Sequence, residues 1–121
     1  MSTILIVEDE KPVRDLLEML LDDAGYRVVV ATHGGQALEL VEQEPPDLVI
    51  SDVMMPMVGG AELCRRLKRD ASTRQIPIIL MSAAGRQVAH DIEADAFIDK
   101  PFDIAAMETL VRRWLGHTGS D

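Results

Sequence analysis

The sequence has a single cysteine, Cys64, and only 3 % aromatic residues. One cysteine excludes an internal disulfide and favours a reducing compartment, so we expect a cytoplasmic protein. Because aromatic rings are scarce, the core of this 121-residue chain must be built from aliphatic side chains. A chain of this length supports one hydrophobic core, which indicates a single domain.

Positive charge and long apolar runs are also in short supply. The 21 acidic and 12 basic residues give a formal net charge of −9. This balance disfavours direct binding to nucleic acid, because phosphate recognition needs a basic face, whereas it suits a cation or a basic protein partner. The N-terminal stretch "MSTILIVEDE" becomes acidic after a few apolar residues, which predicts neither a signal peptide nor a membrane span.

What the sequence does contain is five short apolar runs, separated by stretches of helical period. The runs are Ile4–Val7, Val28–Ala31, Leu48–Ile50, Ile78–Met81 and Ala96–Ile98. Because they are continuous rather than alternating, they predict strands of a parallel sheet that is buried on both faces. The intervening and following stretches predict helices, the last with Asp103 as N-cap and Gly116 as its stop. The alternation predicts a doubly wound α/β domain, in which ligands bind beyond the carboxyl ends of the strands.

Polar residues follow four of the five runs at these strand ends. The stretch Glu8–Glu10 follows the first strand, Asp52 the third, Ser82 the fourth and Lys100 the fifth. Carboxylates that share one cleft repel each other, and a hard divalent cation such as Mg²⁺ would relieve the repulsion. Lys100 would supply positive charge for a phosphate oxygen, and Ser82 a hydroxyl. A carboxylate nucleophile, a metal, a lysine and a hydroxyl are the groups needed to form an aspartyl phosphate.

Each of these residues also has an ordinary structural explanation. Asp9 and Glu10 could cap the first helix. Asp52 alone could be a solvated strand-end acid, Ser82 a turn residue and Lys100 a surface lysine. The combination of all of them at successive strand ends is what favours a phosphoacceptor site.

Four segments carry a family resemblance. "LIVEDE", "SDVMMPMVGG", "ILMSA" and "FIDKPF", in this order, resemble the receiver domain of two-component response regulators. The resemblance runs from residue 3 to about residue 115 and leaves a short polar tail at 116–121. It implies one receiver domain over residues 1–121, with a CheY-like, flavodoxin-like sheet of strand order 2-1-3-4-5 flanked by five helices.

The resemblance also implies the chemistry of the site. Asp52 would be the phosphoacceptor. Mg²⁺ would be held by Glu8, Asp9, Asp52 and the main-chain carbonyl of Met54. The domain would phosphorylate and dephosphorylate itself without being an enzyme in the ordinary sense.

The remaining site residues would contact the phosphoryl group or change position in response to it. Lys100 would contact the phosphoryl group, and the peptide bond between Lys100 and Pro101 would be cis. Ser82 would turn its hydroxyl toward the phosphoryl group, and Phe97 would fill the space vacated behind it as an aromatic switch. As a simpler alternative, Phe97 is a core aromatic.

The implied partners are a histidine kinase or phosphotransfer protein upstream and an unknown protein downstream. The downstream contact would use the face formed by the fourth helix, the fifth strand and the fifth helix. Because residues 83–96 are about one helical turn shorter than in the family, we expect a short or irregular fourth helix. Because the chain ends after its last helix, we expect output through protein contacts alone. A pseudo-receiver that acts without phosphorylation is the alternative.

Two further phosphate-handling classes fit less well. An enzyme that resembles haloacid dehalogenases would need a second acid where Met54 stands. A flavodoxin-like FMN-binding protein would need a hydroxyl- and glycine-rich loop where Glu8–Glu10 stands, and these acids would repel a phosphate.

The apolar side chains of Met54 and Ala84 predict a long-lived phosphoryl group, since neither can position a hydrolytic water.

Overall fold

A computed structural model of the protein describes residues 1–55, 58–83 and 92–116. Its five parallel strands lie side by side in the order β2-β1-β3-β4-β5. They are β1 (Thr3–Val7), β2 (Arg27–Ala31), β3 (Leu48–Asp52), β4 (Ile78–Ser82) and β5 (Ala96–Asp99). The predicted doubly wound, flavodoxin-like sheet and its strand order are therefore confirmed.

The described residues form four helices. They are α1 (Lys11–Asp23), α2 (Gly34–Gln43), α3 (Gly60–Arg69) and α4 (Ile104–Leu115). Helix α4 is the one predicted as the last, fifth helix. Its predicted cap is present, since Asp103 Oδ1 accepts a hydrogen bond from the Ala105 main-chain N–H at 3.2 Å. Gly116 follows the helix with a φ of +77°, a conformation that favours glycine. In these ranges no helix is long and apolar enough to cross a lipid bilayer.

Two sequence predictions concern parts of the chain outside this description. The short or irregular fourth helix was expected within residues 83–96, of which 84–91 lie outside the described residues. Residues 92–95 lead into β5 without helical structure. Of the predicted polar tail at 116–121, only Gly116 is described.

The core lies in two layers, one on each face of the sheet. The layer that contains α2 and α3 includes the buried residues Leu5, Val7, Ala37, Val41, Val49, Leu63, Cys64, Leu67 and Leu80. The layer that contains α1 and α4 includes Ile4, Ile6, Leu17, Leu21, Ile50, Ile79, Met81, Met107 and Val111. Because alternate residues of each central strand enter different layers, neither face of the sheet meets water, which explains the continuous apolar runs.

The strand register brings the polar strand ends to one edge of the sheet. Val7 is paired with Ser51, Asp52 with Met81, and Ser82 with Asp99. The start of α3 lies against the same edge, where a Cβ on Gly60 would stand 2.2 Å from the Asp52 main-chain oxygen. Only glycine permits so close an approach of the helix to the end of β3.

Candidate functional site

Asp52, the last residue of β3, is a buried carboxylate. Its Oδ2 accepts a hydrogen bond from Lys100 Nζ at 2.9 Å, and its Oδ1 accepts one from the Met54 main-chain N–H at 3.2 Å. Both oxygens are therefore engaged, one by a charge and one by the loop that follows the strand.

Glu8, directly after β1, is completely buried. Its Oε1 accepts a hydrogen bond from Lys100 Nζ at 3.0 Å and its Oε2 one from the Glu10 main-chain N–H at 3.1 Å. Burial raises the pKa of Glu8, and the hydrogen bond from Lys100 acts in the opposite direction. The main chain of Glu8 is held as well, because Arg14 Nη1 donates to its carbonyl oxygen at 3.0 Å.

Lys100, directly after β5, places its ammonium group among three carboxylates. Its Nζ lies 2.9 Å from Asp52 Oδ2, 3.0 Å from Glu8 Oε1 and 3.5 Å from Glu10 Oε1. The side chain is only 11 % exposed, and burial by itself would lower its pKa. The hydrogen bonds to Asp52 and Glu8 outweigh burial and raise the pKa of Lys100, so the ammonium stays charged. The bond between Lys100 and Pro101 is cis, as predicted.

The acids around Lys100 are spaced like the ligands of a cation. One carboxylate oxygen from each of Glu8, Glu10 and Asp52 lies within 4.8 Å of the other two. Carboxylate oxygens are the donors that Mg²⁺ prefers, and Mg²⁺ keeps several waters, so few protein ligands are needed. The donor set therefore fits the predicted magnesium ion, with the Lys100 ammonium as the cation that this cluster holds in the structure.

The structure brings together most of the predicted site residues, and it adds one. Asp52, Glu8 and Lys100 contact one another directly. Asp9 is exposed, and in the described part of the chain the acids that could surround one ion do not include it. Its role as a metal ligand stays a prediction.

Glu10 is the residue that the sequence analysis missed, since it was interpreted there as a helix cap. It does occupy the N-cap position of α1, but its side chain makes no capping hydrogen bond. The carboxylate belongs to the acidic cluster instead. The available signal was its place beside Glu8 and Asp9 at the end of β1, where any acid of the turn is within reach of the site.

Ser82 and Phe97, the two predicted switch residues, lie on the neighbouring strands β4 and β5. Ser82 is buried at the end of β4, and its carbonyl oxygen accepts the Lys100 main-chain N–H at 2.9 Å. Phe97 is paired with Leu80 in the register of β4 and β5 and packs, partly buried, against the core layer of α2 and α3. In this conformation Phe97 acts as a core aromatic, and its switch role stays a prediction.

Comparison with known proteins agrees with the geometry. Residues 4–112 match the family described as the response regulator receiver domain. The phosphate regulon transcriptional regulatory protein PhoB of Pseudomonas aeruginosa is 40 % identical over 120 residues, which are 93 % of this chain and 52 % of that protein. The chain spans about half the length of the first curated relatives that it matches.

Two solved structures extend the similarity to three dimensions. The signal receiver domain of a histidine kinase from Syntrophus aciditrophicus has a TM-score of 0.91 and 34 % identity, covering 100 % of this chain and 95 % of that one. The receiver domain of the sensor histidine kinase PA1611 from Pseudomonas aeruginosa, solved with magnesium in its active site cleft, has a TM-score of 0.88 and 28 % identity over 95 % of this chain and 98 % of that one. With the family match spanning nearly the whole chain, the protein belongs to the response regulator receiver domains of two-component signalling.

Proposed function

We propose that this chain accepts a phosphoryl group on Asp52 from a histidine kinase or phosphotransfer protein and thereby changes its contacts with a downstream protein. Receiver domains are signalling modules rather than enzymes in the ordinary sense. The observation that carries the proposal is the buried Asp52 carboxylate at the end of β3, with the Lys100 ammonium 2.9 Å away and two further acids around it.

The proposed reaction is a phosphoryl transfer to a carboxylate. An oxygen of Asp52 forms a bond to phosphorus while the phosphorus–nitrogen bond of the donor phosphohistidine breaks. The departing imidazole takes up a proton, and Asp52 becomes an acyl phosphate. Lys100, which neutralises Asp52 before the transfer, would neutralise a phosphoryl oxygen after it.

The proposed metal is Mg²⁺, held by Glu8, Asp9, Asp52 and the Met54 main-chain carbonyl. The spacing of the Glu8 and Asp52 oxygens supports these two ligands, and the hydrogen bond from the Met54 main-chain N–H to Asp52 places Met54 beside them. Asp9 and the Met54 carbonyl are included on the family resemblance. When bound, the ion supplies positive charge that the phosphoryl oxygens need during transfer. The chain's own residues would hold the ion, exclude water behind Glu8 and keep Asp52 aligned.

The proposed switch starts from the contacts of Lys100. A phosphoryl group on Asp52 adds negative charge and acceptor oxygens, which draw Lys100 away from Glu8. The same oxygens draw the Ser82 hydroxyl inward. Phe97 then moves into the space behind Ser82, which changes the surface of β5 and α4. The downstream partner would contact the face that these two elements form with the segment between β4 and β5.

Intact mass measurement after incubation with acetyl phosphate and Mg²⁺ tests the proposal. We expect the wild-type chain to gain the mass of one phosphoryl group and the Asp52→Ala variant to gain none. Asp23→Ala, which removes an exposed acid at the end of α1, is the matched control and should behave as wild type. A wild-type chain without any mass gain contradicts the proposal and favours the pseudo-receiver alternative.

A further inference from the structure

Glu10 has a position that helix capping does not explain. It stands at the N-cap of α1 and makes no capping hydrogen bond with its side chain. Its Oε1 points to Lys100 Nζ at 3.5 Å, and a carboxylate oxygen of Glu10 lies within 4.8 Å of oxygens from both Glu8 and Asp52. Its main-chain N–H donates to Glu8 Oε2 at 3.1 Å, which keeps the two acids next to each other.

The Lys100 ammonium shows what this arrangement attracts. It lies within 3.5 Å of all three carboxylates, so a cation already occupies the point where their charges converge. A divalent ion that binds Glu8 and Asp52 must compete with the ammonium for the same oxygens. Because Coulomb attraction scales with charge, a nearby carboxylate favours the divalent ion over the ammonium.

The exposure of Glu10 limits the size of its effect. Its side chain is 64 % exposed, whereas that of Glu8 is fully buried. An exposed carboxylate is screened by water and salt, so its contribution is moderate and depends on ionic strength. This distinguishes it from Glu8 and Asp52, the two buried acids of the cluster.

We propose that Glu10 is an additional, outer carboxylate of the cation site and raises the affinity of that site for Mg²⁺. The inference rests on the proposed function, since it concerns the same metal site. It assigns to Glu10 a contribution that the family resemblance gave to Glu8, Asp9, Asp52 and the Met54 carbonyl alone.

Calorimetric titration of the full chain with Mg²⁺ at low ionic strength tests the proposal. We expect Glu10→Gln to raise the Kd by about three- to tenfold, because one carboxylate at the rim of the site is neutralised. Glu18→Gln removes the same charge from an exposed position on α1 and should change the Kd by less than about twofold. A Kd for Glu10→Gln equal to that of wild type, or lower, overturns the proposal.

The Lys100→Met background separates an effect on the ion from an effect on the lysine. If Glu10 attracts the ion itself, Glu10→Gln weakens Mg²⁺ binding by a similar factor with and without Lys100. If the weakening disappears when Lys100 is replaced, Glu10 acts through the lysine and the proposal is wrong. Circular dichroism on each variant verifies that the α/β fold is retained.

The outcome also distinguishes this inference from the proposed function. If the wild-type chain gains a phosphoryl group from acetyl phosphate and Glu10→Gln binds Mg²⁺ as wild type does, only the role of Glu10 is overturned. If the wild-type chain neither binds Mg²⁺ nor gains a phosphoryl group, both proposals are wrong.

Discussion

Gly34, the first residue of α2, lies directly against Val58 in the loop that follows the phosphoacceptor candidate. A Cβ added to Gly34 would stand 2.3 Å from the Val58 main-chain oxygen. Because that oxygen belongs to the backbone, it cannot rotate away from a larger side chain. The contact therefore links the position of α2 to the loop between β3 and α3.

We expect Gly34→Ala to lower the free energy of unfolding by about 1–3 kcal/mol, the cost of forcing a methyl group into a packed contact. Gly35→Ala is the matched control, since its Cβ would meet only the His33 ring at 3.3 Å. Alanine is the better helix former by up to about 1 kcal/mol, which offsets a small shift of the His33 ring, so Gly35→Ala should cost much less stability than Gly34→Ala. Urea unfolding followed by circular dichroism measures both, and equal effects would contradict the prediction.

Lys68 joins α3 to the loop before β4 and to the residue before β5. Its Nζ donates to Asp95 Oδ2 at 2.8 Å and to the carbonyl oxygens of Arg74 at 3.2 Å and Ile76 at 3.1 Å. The side chain is only 17 % exposed. All three of its N–H groups are therefore used in a mostly shielded position.

Replacing Lys68 by methionine keeps most of the side-chain volume and removes the three hydrogen bonds. We expect a loss of about 1–3 kcal/mol of unfolding free energy, because the Asp95 carboxylate loses its counter-charge. Arg69→Met, one position further along α3, removes an exposed positive charge and should stay within about 0.5 kcal/mol of wild type. Chemical unfolding measures the unfolding free energy of both variants, and similar stabilities of the two would refute the prediction.

Cys64 is fully buried in α3, and its Sγ donates to the Glu93 carbonyl oxygen at 3.3 Å. Burial raises the pKa of the thiol to about 11 from its usual value of 9.0. In the folded chain the thiol thus stays protonated at a pH where the unfolded chain has ionised it. The stability that this difference contributes is present below pH 9 and is lost as the pH rises from 9 to about 11.

We expect the wild-type chain to lose up to about 3 kcal/mol more stability than Cys64→Ala over that pH range, since the variant has no thiol to ionise. Parallel pH slopes for the two chains would contradict this. At pH 8 the native thiol should react with a disulfide reagent many times more slowly than the urea-unfolded chain. A thiol that reacts equally fast in both states would show that Cys64 is not shielded.

Met54 follows the phosphoacceptor candidate by two residues, and its side chain is 65 % exposed. Its main-chain N–H donates a hydrogen bond to Asp52, so a polar side chain at position 54 could hold a water near an acyl phosphate. We expect Met54→Asn to accelerate loss of the phosphoryl group by a factor on the order of ten or less. Intact mass followed over time measures the decay, with the exposed Met19→Asn as control, and an unchanged lifetime would contradict the prediction. Ala84, the second apolar position invoked for slow hydrolysis, lies outside the described residues.

The pattern of apolar and polar residues was enough to predict the layers of this protein and the edge of the sheet at which its site lies. Continuous apolar runs predict a sheet buried on both faces because the pattern depends only on the surroundings of each strand. Parallel strands end at one edge, so Asp52 and Lys100 had to meet there although 48 positions separate them. This prediction needed no knowledge of side-chain directions.

The pattern could not predict which acids join the cluster or which contacts hold the surrounding helices and loops in place. Glu8–Glu10 are three consecutive acids, and the direction of each side chain depends on the turn between β1 and α1, which the Arg14 contact to the Glu8 carbonyl holds. The approach of Gly34 to Val58 and the triple contact of Lys68 depend on how helices seat on the sheet. Residue patterns report local periodicity and burial, whereas these contacts join residues far apart in the sequence, so only the assembled fold specifies them.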